Sequence, residues 1–271
     1  MDPSKEAADI YENVVRKGQL DGAWGFLSKA VTWTQDDVVL DVGCGTGSFT
    51  KLIPERGGVK SIIGYDISPE FIETAKRENY IEGKTFYHVA DGEDSNTFPP
   101  EWKNAFDKAV CFAVFRFIRN KKAFLENVSD CLKPGGKFIF RFQHRNVEGT
   151  MTALFKRLNE HPKWKGQLQG YKFADDLYYK GSADELRQLM TECGFCDAKV
   201  QEKLMSFYAN LDEAGHKAYI QVQTPHLKHI PEDKKAEFID DAYEILKDIA
   251  PRNDDGKLVW QGPTMIVIAT K

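Results

Sequence analysis

The sequence predicts an α/β fold built on a doubly wound, mostly parallel sheet, and three observations carry that prediction. The β-branched run Val38-Val39-Leu40-Asp41-Val42 breaks at once into the glycine-rich turn Gly43-Cys44-Gly45-Thr46-Gly47, and a helical stretch over 48–53 follows. Further short apolar runs then alternate with helical stretches as far as residue 142, the rhythm of strands joined by crossover helices. Acids stand where two of these runs end, Asp66 after the second and Asp91 after the third, with Gly92 next in line. In open α/β sheets that edge is where ligands bind.

Taken in order, residues 5–30 read as helical. Ile10, Val14 and Val15 share one face, and Leu20, Trp24 and Leu27 continue the stripe after Gly18. Such a segment either closes over a ligand or packs on the sheet edge. The run Ser61-Ile62-Ile63-Gly64-Tyr65 leads to Asp66, and Ser68-Pro69-Glu70 then opens a helix with a capping serine and a proline in the first turn. The third strand spans 84–89 and the fourth 106–112. A helix over 121–131 stops at Leu132-Lys133-Pro134-Gly135-Gly136, a turn that leads into a fifth strand over 137–142.

Beyond that point the rhythm changes. His161-Pro162-Lys163-Trp164 and the aromatic residues Tyr171, Phe173, Tyr178 and Tyr179 suggest a loop-rich insert. Ser182-Ala183-Asp184-Glu185 opens another capped helix, and a sixth strand covers 198–207. Helices over 211–223 and 232–249 precede a final strand over 264–269, giving seven strands in all. Helices inserted between the last two strands are expected to form a lid over an apolar substrate chamber, or else an extra core layer. The expected organisation is one domain in three parts: a helical segment over 1–35, a cofactor-binding core over 36–145, and the rest of the sheet with its helical insertions over 146–271.

The glycine turn departs from the dinucleotide fingerprint, because Ser48 stands where its third glycine belongs. Asp41 lies at the mouth of the turn, where a carboxylate would repel a pyrophosphate by about 4 kcal/mol at an effective dielectric near 20. It would attract a cofactor bearing an ammonium and a sulfonium, and S-adenosylmethionine is such a cofactor. Asp66, twenty-one residues past Gly45, is placed to grip a ribose diol, and Asp91 to accept from an adenine amino group. The candidate cofactor residues are Asp41, Gly43, Cys44, Gly45, Asp66, Ile67, Asp91 and Gly92.

Composition narrows the partners. The chain has 271 residues, 42% of them hydrophobic, and a net charge of -4, which gives no general reason to expect nucleic acid as a partner. No apolar run reaches membrane-spanning length, so no membrane insertion is expected, and no signal-peptide core opens the chain. Five cysteines, one inside the glycine turn, fit a reduced, cytoplasmic protein. Cys193 and Cys196 have redox spacing but straddle a helix stop, and His226 with His229 lacks a second ligand pair, so no metal site is expected. Asp240-Asp241 reads as the wet face of its helix.

The turn Asp41–Gly47, the Asp66-Ile67-Ser68 stretch, Asp91 and the Leu132–Gly136 turn together resemble class I methyltransferases that use S-adenosylmethionine. Across the whole chain, Ala8-Asp9-Ile10-Tyr11-Glu12, Val31-Thr32-Trp33, His161-Pro162-Lys163-Trp164 and Phe238-Ile239-Asp240-Asp241 are similar to the arthropod juvenile hormone acid O-methyltransferases. The resemblance implies a Rossmann-like seven-stranded sheet and methyl transfer to the carboxylate of a small apolar acid, farnesoic or juvenile hormone acid, releasing S-adenosylhomocysteine. It admits a homodimer. In that family a Leu-His-Trp triplet follows strand four, and its Trp and a Gln of the N-terminal helix are associated with holding the substrate carboxylate. Here the triplet is Phe115-Arg116-Phe117, and Gly18 falls where the family has Gln, with Gln19 one residue on. Gln19, Arg116 and Phe117 are therefore the expected substrate-facing residues, with Arg116 a charged donor in place of the lost indole N–H. A carboxylate nucleophile is already ionised at neutral pH and needs no base. A hydroxyl or amine acceptor would want one, and His144, expected at the surface, is the candidate. A non-catalytic protein binding the cofactor or a lipid is the third reading.

Overall fold

The computed structural model describes residues 17–112, 114–144, 149–168, 179–208 and 211–271. The expected helix thus enters view as α1 (Lys17–Ala30), and its earlier part lies outside the described residues, as do Tyr171, Phe173 and Tyr178. The sheet comprises β1 (Val38–Val42), β2 (Ser61–Asp66), β3 (Thr85–Val89), β4 (Phe106–Phe112), β5 (Leu132–Gln143), β6 (Cys196–Phe207) and β7 (Trp260–Thr270). Its order is β3-β2-β1-β4-β5-β7-β6. β1 pairs in parallel with β2 on one side and β4 on the other, so the strand order reverses at β1, where an open sheet offers its ligand crevice. β7 runs antiparallel to β5, with Phe138 opposite Ala269. This is the class I methyltransferase sheet, Rossmann-like with an antiparallel seventh strand.

Chain contacts divide the protein into two compact units. The larger comprises Ala23–Asn146, Leu177–Lys203 and Thr264–Lys271. Its sheet has two buried faces because side chains alternate along each strand. Val39 packs with Leu27, Ile53, Val59, Ile62, Val110 and Ile139 on one face. Leu40 and Val42 join Phe115, Phe124, Phe138 and Phe140 on the other. Of the crossover helices α2 (Ser48–Gly57), α3 (Pro69–Glu78) and α4 (Lys121–Cys131), the last two start on side-chain caps. Ser68 accepts from the Phe71 N–H at 3.3 Å and Asn120 from the Ala123 N–H at 3.1 Å. In α6 (Ala183–Glu192) the Ser182–Glu185 capping box is complete in both directions.

The Leu132–Gly136 stretch differs from expectation. Rather than a turn ahead of strand five, it is the strand's own first part. Leu132 pairs with Phe106, and the register resumes only at Lys137 opposite Lys108, so the residues between bulge out, with Gly135 at φ +79°. At this amino-terminal end of the sheet two ion pairs fasten the strands: Lys108 Nζ to Asp37 at 2.5 Å, both buried, and Lys133 Nζ to Asp107 at 2.7 Å. Lys108→Ala would leave Asp37 buried and unpaired. It is expected to cost about 3 kcal/mol, read as a fall in Tm of about 6–12 °C.

The second unit comprises Met1–Gly22, Val147–Asp176 and Leu204–Pro263. Its helices are α5 (Thr150–Glu160), α7 (Glu213–Gln223) and α8 (Lys235–Ile249), around Leu154, Leu158, Trp164, Ile220, Phe238 and Leu246. The residues before α8, expected to begin the helix, form a separate 3₁₀ turn at Glu232–Lys234. Asp241 is not simply a solvated residue. It accepts from Trp164 Nε1 and from Lys163 Nζ, both at 2.8 Å, while Trp164 meets Phe238 edge-on at 5.2 Å. Asp241 lies one helical step from Phe238 and so on the flank of the buried stripe. Asp240 pairs with Lys217 at 2.8 Å. The stretches His161–Trp164 and Phe238–Asp241 are thus two halves of one structural clasp.

Candidate active site

The carboxyl ends of β1, β2 and β4 carry most of the residues singled out from the sequence. At Gly43 the chain turns with φ +70°, and a Cβ there would meet Val114 at 2.5 Å, so only glycine lets the segment after β4 close against the turn. Gly45 has φ +54°, but a Cβ there would meet nothing within 4 Å. Its backbone faces open space, the bare cradle a flat ligand needs. Asp66 joins this turn to the next: Oδ2 accepts from the Gly45 N–H at 2.9 Å and Oδ1 from the Ser68 N–H at 3.0 Å. An ionised carboxylate has about four acceptor sites, so two remain for a diol. Beside it Ile67 is 66% exposed, a large apolar side chain held out at the end of β2.

Asp41 is 2% exposed, and Thr50 of α2 donates its hydroxyl to Oδ2 at 2.6 Å. Burial pushes the Asp41 carboxyl up to about 7; the Thr50 hydroxyl pulls it back, and the nearby Asp66 charge raises it further. Thr50 is a site residue that no spacing in the sequence marked, because its partner lies across a turn and a helix start. Cys44 is buried, and a Cβ on Gly64 would lie 2.8 Å from its own. Burial, with Asp41 and Asp66 nearby, raises its thiol well above the ordinary range, so Cys44 packs and does not act as a nucleophile.

Asp91 forms a local turn, Oδ1 accepting from the Glu93 N–H at 2.9 Å while its own N–H donates to Thr97. That bond occupies one oxygen of the carboxylate expected to face adenine. Gly92 is required by packing, since a Cβ would meet Phe124 at 2.9 Å and the Tyr65 hydroxyl at 3.0 Å.

After β4, Phe115–Phe117 makes one 3₁₀ turn. Phe115 is buried among Phe124, Phe140 and Phe142, which anchors the turn, while Phe117 is 51% exposed. The Arg116 guanidinium lies 4.5 Å from the Phe117 ring centre, so the aromatic face orients the cation. Gln19 is half-buried in α1 and donates to the Tyr208 hydroxyl at 2.6 Å, whereas Gly18 is exposed. Tyr208, which the sequence reading did not single out, has φ +59°, an uncommon backbone for tyrosine. Gln19 belongs to the helical unit and Arg116 to the sheet unit. His144 differs from expectation: it is 1% exposed, and its Nε2 lies 3.3 Å from Glu202 of β6. Burial holds its pKa below the ordinary value, against the pull of Glu202.

Among the described residues, no group of three or more His, Cys, Asp or Glu is disposed to hold a metal ion. No described helix is long and apolar enough to cross a membrane. Cys193 is buried and Cys196 exposed, both as free thiols.

Comparison with known proteins gives the same class. Residues 40–140 match the family described as a methyltransferase domain. The juvenile hormone acid O-methyltransferase of Drosophila melanogaster is 28% identical over 258 residues, 90% of this chain and 83% of that protein. The Bombyx mori protein of the same description is 25% identical, covering 79% of this chain and 75% of its own. Among solved structures, a Haemonchus contortus phosphoethanolamine N-methyltransferase bound to S-adenosylhomocysteine shares the fold. Its TM-score is 0.56 at 15% identity, over 93% of this chain and 52% of that one. This chain is a class I methyltransferase that uses S-adenosylmethionine. Its likeness to juvenile hormone acid O-methyltransferases extends beyond the shared domain to most of both chains.

The residues present fit that cofactor. The open backbone at Gly45, the part-filled Asp66 carboxylate and the exposed Ile67 suit a nucleoside. A buried acid with its pKa near 7 is stabilised as the anion by a cation placed against it.

Proposed function

We propose that this enzyme methylates the carboxylate of a small apolar acid, an isoprenoid or fatty acid of the farnesoic or juvenile hormone acid type. The observation that carries the reading is the turn after β4. Val114 packs on Gly43 of the cofactor turn, and two residues later Arg116 stands braced on the Phe117 ring. A guanidinium carried on that turn suits a carboxylate, which it binds through two parallel N–H donors. Gln19, its amide held by Tyr208, is the counterpart this reading offers for the family glutamine, one position off.

In this account S-adenosylmethionine, when bound, supplies an electrophilic methyl group on a sulfonium. Asp41 and Asp66 bind and orient the cofactor, and Gly43 and Gly45 keep the backbone close to it. Arg116 holds the acid in its ionised form with one oxygen free to react. Catalysis then consists of alignment and exclusion of water, with no proton to move.

The experiment that tests this reading is ester formation, followed by mass spectrometry, from S-adenosylmethionine with isoprenoid and fatty acids of graded length. A methyl ester is expected from at least one. Cofactor binding without an ester from any of them would overturn the acid assignment.

One observation favours a second reading. His144 is buried and held neutral, the state a base for a hydroxyl or amine acceptor requires. On the acid reading His144→Asn leaves kcat on acid substrates within about threefold, since the acceptor carries no proton to remove. On the second reading the same substitution lowers turnover by about a hundredfold or more. The kcat of this variant decides between them.

A further inference from the structure

A second site lies at the opposite ends of the same strands. A cavity of about 890 Å³ opens where β1, β4 and β5 begin, between Asp37, Lys108 and Lys137 and the segment running from Trp24 to Trp33. Asp37 stands just before β1 and Asp41 four residues on within it, so the cavity sits about 13 Å from the cofactor turn. None of the residues assigned to the methyl-transfer site lines it.

Its chemistry runs against that of the whole chain. The protein carries a net charge of -4, yet the lining holds five cations, Lys29, Arg56, Lys108, Lys133 and Lys137, against two carboxylates. Both carboxylates already meet a lysine, Asp37 with Lys108 and Asp107 with Lys133. The excess of cations over carboxylates in this concave lining favours anions. The wall is also aromatic. Trp24 and Trp33 stack at 6.2 Å with their planes 27° apart. Gly57 permits that pair, since a Cβ there would lie 3.1 Å from Trp24 and 3.4 Å from Trp33. Trp33 keeps its indole N–H buried with no acceptor among the described residues, and a buried donor of this kind calls for one.

From these features we infer that the cavity is a binding site for a small phosphate ester that carries a flat ring, as a nucleoside monophosphate does. The phosphate meets the lysines and Arg56, the ring lies against the tryptophan pair, and the Trp33 N–H gains an acceptor. The inference stands apart from the identity of the methyl acceptor.

The test is calorimetric titration of the intact chain with AMP, ribose 5-phosphate and adenosine, with S-adenosylhomocysteine in excess so that the cofactor site is filled. AMP is expected to bind saturably at one site, and ribose 5-phosphate and adenosine each about tenfold or more weaker. AMP affinity should fall severalfold between about 50 and about 200 mM salt. Lys29→Glu and Lys137→Glu should each weaken AMP by about tenfold while leaving the affinity for S-adenosylhomocysteine unchanged, which shows that the sheet is intact. No AMP binding, binding equal to that of ribose 5-phosphate, or binding indifferent to both substitutions overturns the inference.

Discussion

Replacing Asp41 by asparagine is expected to strengthen the cofactor-free fold and weaken the cofactor complex. In the free protein the carboxyl has a pKa of about 7 against an ordinary value of 3.8. The folded state therefore binds the extra proton between those values, and its stability falls as pH rises from about 4 to about 7. Above pH 7 the penalty is fully present, on the order of 4 kcal/mol. Asparagine removes it and can still accept from the Thr50 hydroxyl. Its amide N–H groups need partners in a buried site, at a cost of about 2 kcal/mol. The remainder, about 2 kcal/mol, predicts a rise in Tm of about 4–8 °C at pH 8. The same substitution removes the anion that a bound cation stabilises, so affinity for S-adenosylmethionine should fall about a hundredfold. In the wild type that affinity should fall about tenfold per pH unit below 7, where Asp41 is protonated in the free protein, and level off above. The variant should show no such slope. Scanning calorimetry and binding isotherms at several pH values check both halves. An unchanged affinity would remove Asp41 from the cofactor site.

Arg116→Ala is expected to lower kcat/KM on acid substrates by about a hundredfold or more, because truncating one partner of a desolvated charge pair costs about 2–5 kcal/mol. Cofactor affinity should hold, since Arg116 lies in the turn after β4 rather than in the glycine turn. Arg116→Lys should recover only part of the loss. It keeps the charge but not the two-pronged donor or the stacking on Phe117. Equal activity in Arg116→Ala and wild type would show that another group holds the carboxylate.

The sheet was legible because each of its signals is local. A β-branched run, a glycine turn and a capped helix are written in consecutive residues, and Asp66 stands at the end of its strand where the spacing placed it. The bulge at Pro134–Gly136 was read as a turn because proline and glycines mark both, and only the pairing of Leu132 with Phe106 separates them. Nothing local marks His144 as buried, and the neighbour it meets, Glu202, lies in β6, more than fifty residues later. Asp241 reads locally as a solvated residue because its partners Lys163 and Trp164 lie far back in the chain. The same holds at the candidate site. Spacing marks Asp41 and Asp66 as candidates, whereas Thr50 and Tyr208 meet the candidates Asp41 and Gln19 through contacts that no periodicity encodes. The raised pKa of Asp41 is likewise a property of burial, which its position in the strand only hinted at.

The most direct test of the account pairs two substrates with one skeleton, farnesoic acid and farnesol, with S-adenosylmethionine saturating. Arg116 as carboxylate holder and the lack of any required base predict methyl ester from the acid and no ether from the alcohol. Methylation of the alcohol with the acid inert would contradict the account and transfer the chemistry to an acceptor that must lose a proton.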